Sequence, residues 1–144
     1  MFESFGAETI MVLKLVLACL FGGVIGYLRE KDKKAAGLRT HILVCLGATL
    51  LIAISIFVEE KYIGVDISRI ASNIIVGIGF IGAGTIIQQR EGFVVGITTA
   101  ASIWVTAAMG MALGFGMYLA ATATLVLAIV TLKYLGFIEK KFLG

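Results

Sequence analysis

Residues whose side chains hold anions or carry protons gather where long apolar segments of this chain end. An Arg-Glu pair occurs at Arg29-Glu30 and again at Arg90-Glu91, and each is followed after a short loop by a Gly-[Leu/Ile]-x-Thr sequence. Cationic side chains beside a helix N-terminus favour an anion, because the free N–H groups there carry partial positive charge. The candidate functional cluster contains Arg29, Glu30, Arg39, Thr40, His41, Arg90 and Thr99. Ordinary interfacial charge is the competing interpretation of both Arg-Glu pairs.

The sequence offers no arrangement suited to catalysis. His41 is the single histidine, so a triad with a serine and an aspartate would have to be assembled across an apolar segment. The run Gly77-x-Gly79-x-x-Gly82 imitates a dinucleotide fingerprint, but no acidic residue follows about 20 positions later. The sequence therefore predicts neither an enzyme nor a bound cofactor, and the metal content is left open.

Thr99, Ser102 and Thr106 form a polar stripe at helical spacing. Such hydroxyls bond either to a neighbouring helix and to their own backbone or to the contents of a pore. The first alternative is favoured, and the second stays open. Thr40 and Thr99 are also predicted to cap the N-termini of their helices.

Long uncharged segments predict the elements that position these groups. Neither Asp, Glu, Lys nor Arg occurs in Thr40–Val58, Ile70–Gln89 or Gly92–Leu132. About 20 helical residues cross a hydrocarbon core of roughly 30 Å, so the longest segment holds two crossings joined by a tight turn. A first crossing runs from Ile10 to Leu28, with Lys14 near its outer end and expected to snorkel. The sequence predicts an all-α bundle of five transmembrane helices in a single domain, residues 1–144.

Basic residues predict the orientation of the bundle. With the loop from Arg29 to Arg39 in the cytoplasm, the N-terminus lies outside and the C-terminus inside. The cytoplasmic side then holds Arg29, Lys31, Lys33, Lys34, Arg39, Arg90, Lys133, Lys140 and Lys141, and the outer side holds Lys61 and Arg69. These flanks account for the net charge of +3, so the charge predicts no nucleic acid partner.

The chain has 18 glycines and no proline, so close helix contacts and helix breaks fall to glycine. Gly22-x-x-x-Gly26 and Gly110-x-x-x-Gly114 have the spacing of helices that touch backbone to backbone. A denser run comprises Gly77, Gly79, Gly82 and Gly84. It predicts a third helix surrounded by neighbours, and the alternative is a locally unwound helix whose carbonyls and amides line a site.

An internal repeat relates the two glycine-rich helices that run inward. Each unit comprises such a helix, an Arg-Glu pair, a short loop and a Gly-[Leu/Ile]-x-Thr sequence that ends at Thr40 or Thr99. Both hairpins run in the same sense, which predicts a parallel repeat about an axis along the membrane normal. Chance similarity between short motifs is the alternative.

Taken in order, these motifs resemble the MgtC/SapB family of bacterial inner-membrane proteins. The matching stretches are Arg29-Glu30, Ala36-Gly-Leu-Arg-Thr-His41, Arg69-Ile-Ala, Gly77-Ile-Gly-Phe-Ile-Gly-Ala-Gly84, Thr98-Thr-Ala-Ala-Ser102 with Trp104, and Gly110-x-x-x-Gly-x-Gly-x-Tyr118. They cover nearly the whole chain but only the transmembrane part of many relatives, which add a soluble domain.

The resemblance implies a role in adaptation to low Mg²⁺ and in virulence. It suggests a regulator in the lipid bilayer that acts on a membrane ATPase or an ATP synthase subunit, and a second copy of the chain is another candidate partner. The alternative is a transporter or channel for Mg²⁺ or another ion. None of the nine acidic residues lies inside a predicted span, which counts against an ordinary Mg²⁺ pathway.

Overall fold

The computed structural model describes residues 2–62, 66–88 and 94–135. Its five α-helices are α1 (Phe2–Lys31), α2 (Leu38–Lys61), α3 (Ile67–Ala83), α4 (Ile97–Gly114) and α5 (Tyr118–Val130), and a π-helical turn over Thr131–Leu135 extends α5. Two short strands, β1 (Ile87–Gln88) and β2 (Val94–Val95), pair antiparallel just before α4. The predicted all-α class and the number of helices are confirmed.

Four of the helices are long and apolar enough to cross a membrane: α1 from Glu8 onwards, α2, α4, and α5 with its π-helical turn. α3 has 17 residues, a length of about 25 Å. The predicted turn inside the long apolar segment lies between α4 and α5, where Gly116 adopts a φ of +76°. Met117 N–H donates to the carbonyl of Ala112, and Gly116 N–H to that of Leu113, which is a Schellman-type helix end. The chain is a multi-pass membrane protein.

α3 ends earlier than predicted, at Ala83 rather than Gln89. The Thr85 hydroxyl donates to the carbonyl of Gly82 at 2.8 Å and occupies an acceptor at the helix end. At the other end Asp66 caps the helix, accepting from the amide and the hydroxyl of Ser68 at 2.9 and 2.6 Å. Those hydrogen bonds hold the pKa of Asp66 below its ordinary value.

α2 and α4 form the centre of the bundle. One apolar cluster joins them to α3, and a second joins them to α1 and α5. α1 packs most extensively on α2 and also on α4, whereas α3 and α5 both pack mainly on α4. Any side chain that α1, α2 and α4 direct toward each other is therefore enclosed.

Glycine brings these central helices into contact, as the spacing of two motifs predicted. A Cβ added at Gly22 would lie 2.5 Å from the backbone oxygen of His41, and one at Gly26 would lie 2.7 Å from the Cα of Leu38. These positions join α1 to α2. Gly110 and Gly114 join α4 to α2 in the same way, with an added Cβ at Gly114 only 2.6 Å from the Cβ of Ile52.

The prediction of a third helix enclosed by neighbours is wrong for the described chain. Nothing lies within 4 Å of a Cβ added at Gly77 or Gly79, and both residues are exposed. Gly82 makes only ordinary van der Waals contact with Ala100, and the environment of Gly84 is formed by its own helix end. α3 also continues unbroken through Gly77 and Gly79, so the unwound alternative is not observed there.

Candidate functional site at the start of α4

Arg29, near the end of α1, is buried against the first turn of α4. Only 4% of its surface is exposed. Its Nη2 donates a hydrogen bond of 2.7 Å to the hydroxyl of Thr99, 70 residues away in the chain. Its Nε is enclosed and has no partner among the described residues. The repeat predicted that Arg29 and Thr99 share a site, and their direct bond places them together.

His41 extends this network from α2. Its Nδ1 donates to the carbonyl of Gly37 at 2.9 Å, since a carbonyl only accepts, and Nε2 lies 3.1 Å from the hydroxyl of Ser102. A neutral imidazole then presents Nε2 as an acceptor. The Ser102 proton has two acceptors in reach, Nε2 and the carbonyl of Thr99 at 2.8 Å. The ring thereby links the start of α2 to the start of α4.

The polar stripe on α4 behaves as its favoured interpretation predicted. Ser102 and Thr106 donate to carbonyls of their own helix, those of Thr99 and Ser102, at 2.8 Å each. All three stripe residues are buried. The stripe therefore lines a helix interface, and Ser102 in addition serves as the partner of His41.

Thr40 and Thr99 were predicted to cap α2 and α4, and this is wrong. Each is the third helical residue, and the cap positions belong to Gly37 and Gly96, neither of which offers a side chain. Gly96 adopts a φ of +97°, which turns the chain out of β2 into α4. The cap position of α4 therefore offers its first turn no side-chain acceptor.

Glu30 supplies the missing cap at the start of α2. Its Oε2 accepts from the amide of Leu38 at 2.7 Å, and Gly37 leaves the space that this carboxylate occupies. A carboxylate also favours the positive N-terminal end of a helix. The Arg-Glu pair is thus divided in function: Arg29 faces α4, and its neighbour Glu30 faces α2.

Two further cluster residues lie apart from this network. Arg39 is exposed on the first turn of α2, and Thr40 is half-buried there. Neither makes a side-chain hydrogen bond to any part of the chain that the structure describes. Arg90 and its neighbour Glu91 lie outside the described residues.

Lys14 forms a second contact between α1 and α4, at the opposite end of α4. Its Nζ donates to the carbonyl of Gly114 at 2.7 Å, so it binds protein rather than snorkelling as predicted. Lys14 and Arg29 are 15 residues apart on α1, and their partners Gly114 and Thr99 are 15 residues apart on α4. The two helices therefore run antiparallel with matched registers over about 22 Å.

The sequence itself indicates that Arg29 faces the interior of the bundle. Arg29 follows Gly22 and Gly26 on the same helical face, and glycines at this spacing mark a helix contact.

We expect Glu30→Ala to destabilise the protein by about 1 kcal/mol, because the amide of Leu38 loses its acceptor at the start of α2. Glu30→Gln keeps a carbonyl oxygen at this position and should lose clearly less stability than Glu30→Ala. Asp32→Ala, at an exposed position of the same loop, is the control. Reversible unfolding in mixed detergent micelles measures all three, and equal stability of Glu30→Ala and wild type would contradict the cap.

The family can be assigned from the sequence as a whole. The sequence profile of the MgtC family matches residues 15–141. This chain belongs to the MgtC family. The MgtC-family chain is 45% identical over 112 residues to the putative magnesium transporter YhiD of Escherichia coli K12, an alignment that covers 74% of the chain and 52% of YhiD.

Two other relatives match a larger share of the chain. Identity to the protein SapB of Bacillus subtilis is 37% over 136 residues, which covers 91% of the chain and 59% of SapB. Identity to the protein MgtC of Salmonella typhimurium is 40% over 126 residues, covering 85% of the chain and 52% of that protein. The chain thus spans little more than half the length of these relatives. No solved structure matches it.

Proposed function

We propose that this MgtC-family protein is a regulator in the bacterial inner membrane that supports growth at low Mg²⁺ by acting on another membrane protein, such as the F-type ATP synthase. The family assignment supports the connection with Mg²⁺. The observation that carries the regulatory role is the type of side chain inside the bundle. Lys14 and Arg29, whose side chains hydrogen-bond from α1 to α4, are both basic.

A Mg²⁺ pathway needs oxygen ligands, usually including carboxylates, and it avoids fixed positive charge. Within residues 2–62, 66–88 and 94–135, no three His, Cys, Asp or Glu side chains are grouped so that they could hold a metal ion. The buried hydroxyls of Thr49, Ser102 and Thr106 are engaged with backbone carbonyls. These contacts favour a closed, packed interface between α2 and α4 over an ion pathway.

Transport of Mg²⁺ is the alternative function, favoured by the similarity to the E. coli relative YhiD, a putative magnesium transporter. Purified protein in liposomes loaded with a Mg²⁺-sensitive dye separates the two. We expect no Mg²⁺ entry above protein-free liposomes, and a protein-dependent flux would overturn the regulatory proposal.

The positive test uses a bacterial strain that lacks its own MgtC-family gene. Expression of this chain should restore growth in low Mg²⁺ and should lower ATP-driven proton pumping in inverted membrane vesicles. Restored growth with unchanged pumping would exclude the ATP synthase as the regulated protein, and failure to restore growth would overturn the role in low Mg²⁺.

The proposed action requires the site to face the cytoplasm, as the basic loop predicts. In a variant without Cys19 and Cys45, a single cysteine at the exposed position Tyr62 should react with an impermeant thiol reagent added to intact cells. A cysteine at the exposed position Lys33 should react only after the membrane is opened. Labelling of position 33 in intact cells would reverse the orientation.

A further inference from the structure

The buried guanidinium of Arg29 lies at the wrong end of α4 for a cation. A helix carries partial positive charge at its N-terminus and partial negative charge at its C-terminus. Lys14 lies at the C-terminal end, on the carbonyl of Gly114, where a cation is favoured. Arg29 lies at the N-terminal end, on the hydroxyl of Thr99, where a cation is disfavoured. Arg29 also lies in the last turn of α1, whose C-terminal end favours a cation, so its unfavourable position concerns the dipole of α4 alone.

Hydrogen-bond donors without acceptors accumulate at the same place. The Nε of Arg29 is enclosed and has no partner within the described chain. The hydroxyl of Thr99 accepts from Arg29 and donates to none of the described residues. The cap residue of α4 is Gly96, with no side-chain hydrogen bond, so the first amides of this helix receive no side-chain acceptor from their own cap position.

The nearby carboxylates do not correct this imbalance. Glu30 is committed to the amide of Leu38 at the start of α2. Asp32 is exposed and acts on Arg29 only at a distance. No salt-bridge partner of Arg29 lies among residues 2–62, 66–88 and 94–135. A buried charge that lacks a counter-ion is costly, and an added anion at this point would supply acceptors and negative charge together.

We infer that the buried site formed by Arg29, Thr99 and the first turn of α4 binds a phosphate group. A tetrahedral phosphate offers several acceptor oxygens to the planar fork of arginine, to a hydroxyl and to helix amides at once. The site lies at the end of a membrane-spanning helix, the level of phospholipid headgroups. The ligand is either free inorganic phosphate or the phosphodiester of a lipid headgroup, which share this chemistry. This inference assigns a ligand to the site on which the proposed function depends. Binding of that ligand is measured on the purified protein, independently of growth.

Thermal unfolding of the purified full chain in detergent tests the inference. Inorganic phosphate should raise the melting temperature of the wild type by several degrees relative to chloride at equal ionic strength, because a ligand of the folded state stabilises it. Phosphatidylglycerol added to the micelles is the second arm, and diacylglycerol, which has no phosphate, is its control. Stabilisation in the first arm identifies free phosphate, and stabilisation in the second arm alone identifies a lipid headgroup.

Variants of Arg29 and Thr99 test whether the stabilisation by phosphate arises at this site. Arg29→Lys keeps the charge but loses the fork, so the concentration needed for half-maximal stabilisation should rise about tenfold or more. Arg39→Lys, at an exposed arginine ten residues away, should respond as wild type. If Arg29→Lys does not fold, Thr99→Ser and Thr99→Val form the second pair: the serine variant should keep the response, and the valine variant should lose most of it.

Two results would overturn the inference. One is a wild type that gains no stability from phosphate or from phosphatidylglycerol; if Glu91→Gln then destabilises the protein, that carboxylate is the counter-ion. The other is a gain of the same size, at the same concentration, in wild type and in the Arg29 or Thr99 variants. A protein that binds phosphate but does not restore growth would leave this inference intact and overturn only the proposed function.

Discussion

Gly22→Leu should prevent the protein from reaching its folded state. The residue packs α1 against α2, and an added Cβ would lie 2.5 Å from the backbone oxygen of His41. A backbone atom cannot rotate away as a side chain can, so the helices would have to separate and reopen the packed interface. We expect a loss of about 3 kcal/mol or more, which is large compared with the marginal stability of a small protein.

Gly79→Leu is the matched control, since it makes the same substitution in another apolar helix of the chain. Nothing lies within 4 Å of a Cβ at this position, and leucine has a higher helix propensity than glycine. Folded yield after membrane extraction, measured by size-exclusion chromatography and by unfolding, should be near wild type for Gly79→Leu and very low for Gly22→Leu. Equal yields of the two variants would contradict the packing described for α1 and α2.

Arg29→Gln should abolish growth support at low Mg²⁺. The substitution removes the guanidinium that joins α1 to the first turn of α4, and it removes the charge from the candidate anion site. Arg39→Gln makes the same chemical change at an exposed position and should retain growth support. The comparison is made at equal membrane abundance, because loss of a buried, hydrogen-bonded charge also destabilises a protein, by up to about 3–5 kcal/mol.

Growth rates across a series of Mg²⁺ concentrations measure this prediction. Full growth of the Arg29→Gln strain at normal abundance would move the functional site elsewhere, and the buried stripe from Thr99 to Thr106 would be the next candidate. Equal defects in the Arg29 and Arg39 strains would show that charge in the loop, rather than the buried contact, matters.

The lengths of the uncharged segments determined most of what the sequence could predict about the fold. Apolar segments bounded by charge gave five helices, because a membrane span needs a minimum run of apolar residues. The motifs Gly22-x-x-x-Gly26 and Gly110-x-x-x-Gly114 correctly predicted two helix contacts, those of α1 and of α4 with α2. Gly77 and Gly79 lie in a segment that is also rich in glycine, but they face away from the bundle. Whether a glycine faces a neighbouring helix depends on the rotation of its own helix about the helix axis. Local sequence does not determine that rotation when all faces of the helix are apolar.

The candidate site was predictable in part for a related reason. The predicted repeat grouped Arg29, His41 and Thr99 in one candidate cluster, and the structure joins Arg29 to Thr99 and His41 to Ser102, in the first two turns of α4. Spacing could not show that Arg29 is buried and Arg39 exposed, since both belong to the same basic loop. The capping roles were misassigned because threonine is a common cap, whereas here Glu30 reaches across from the preceding helix.

The bond between Arg29 and Thr99 also sets an order of events during biosynthesis. Its partners are 70 residues apart, so at roughly 5–20 residues per second the ribosome adds Thr99 about 4–14 s after Arg29. The hairpin of α1 and α2, closed by Gly22 and Gly26, can assemble in that interval, but its arginine still lacks the α4 hydroxyl. Until α4 is inserted, Arg29 has no such partner, and a charged side chain is then favoured at the water boundary rather than in the hydrocarbon core. A chain stalled before Thr99 would thus retain Arg29 without its partner hydroxyl.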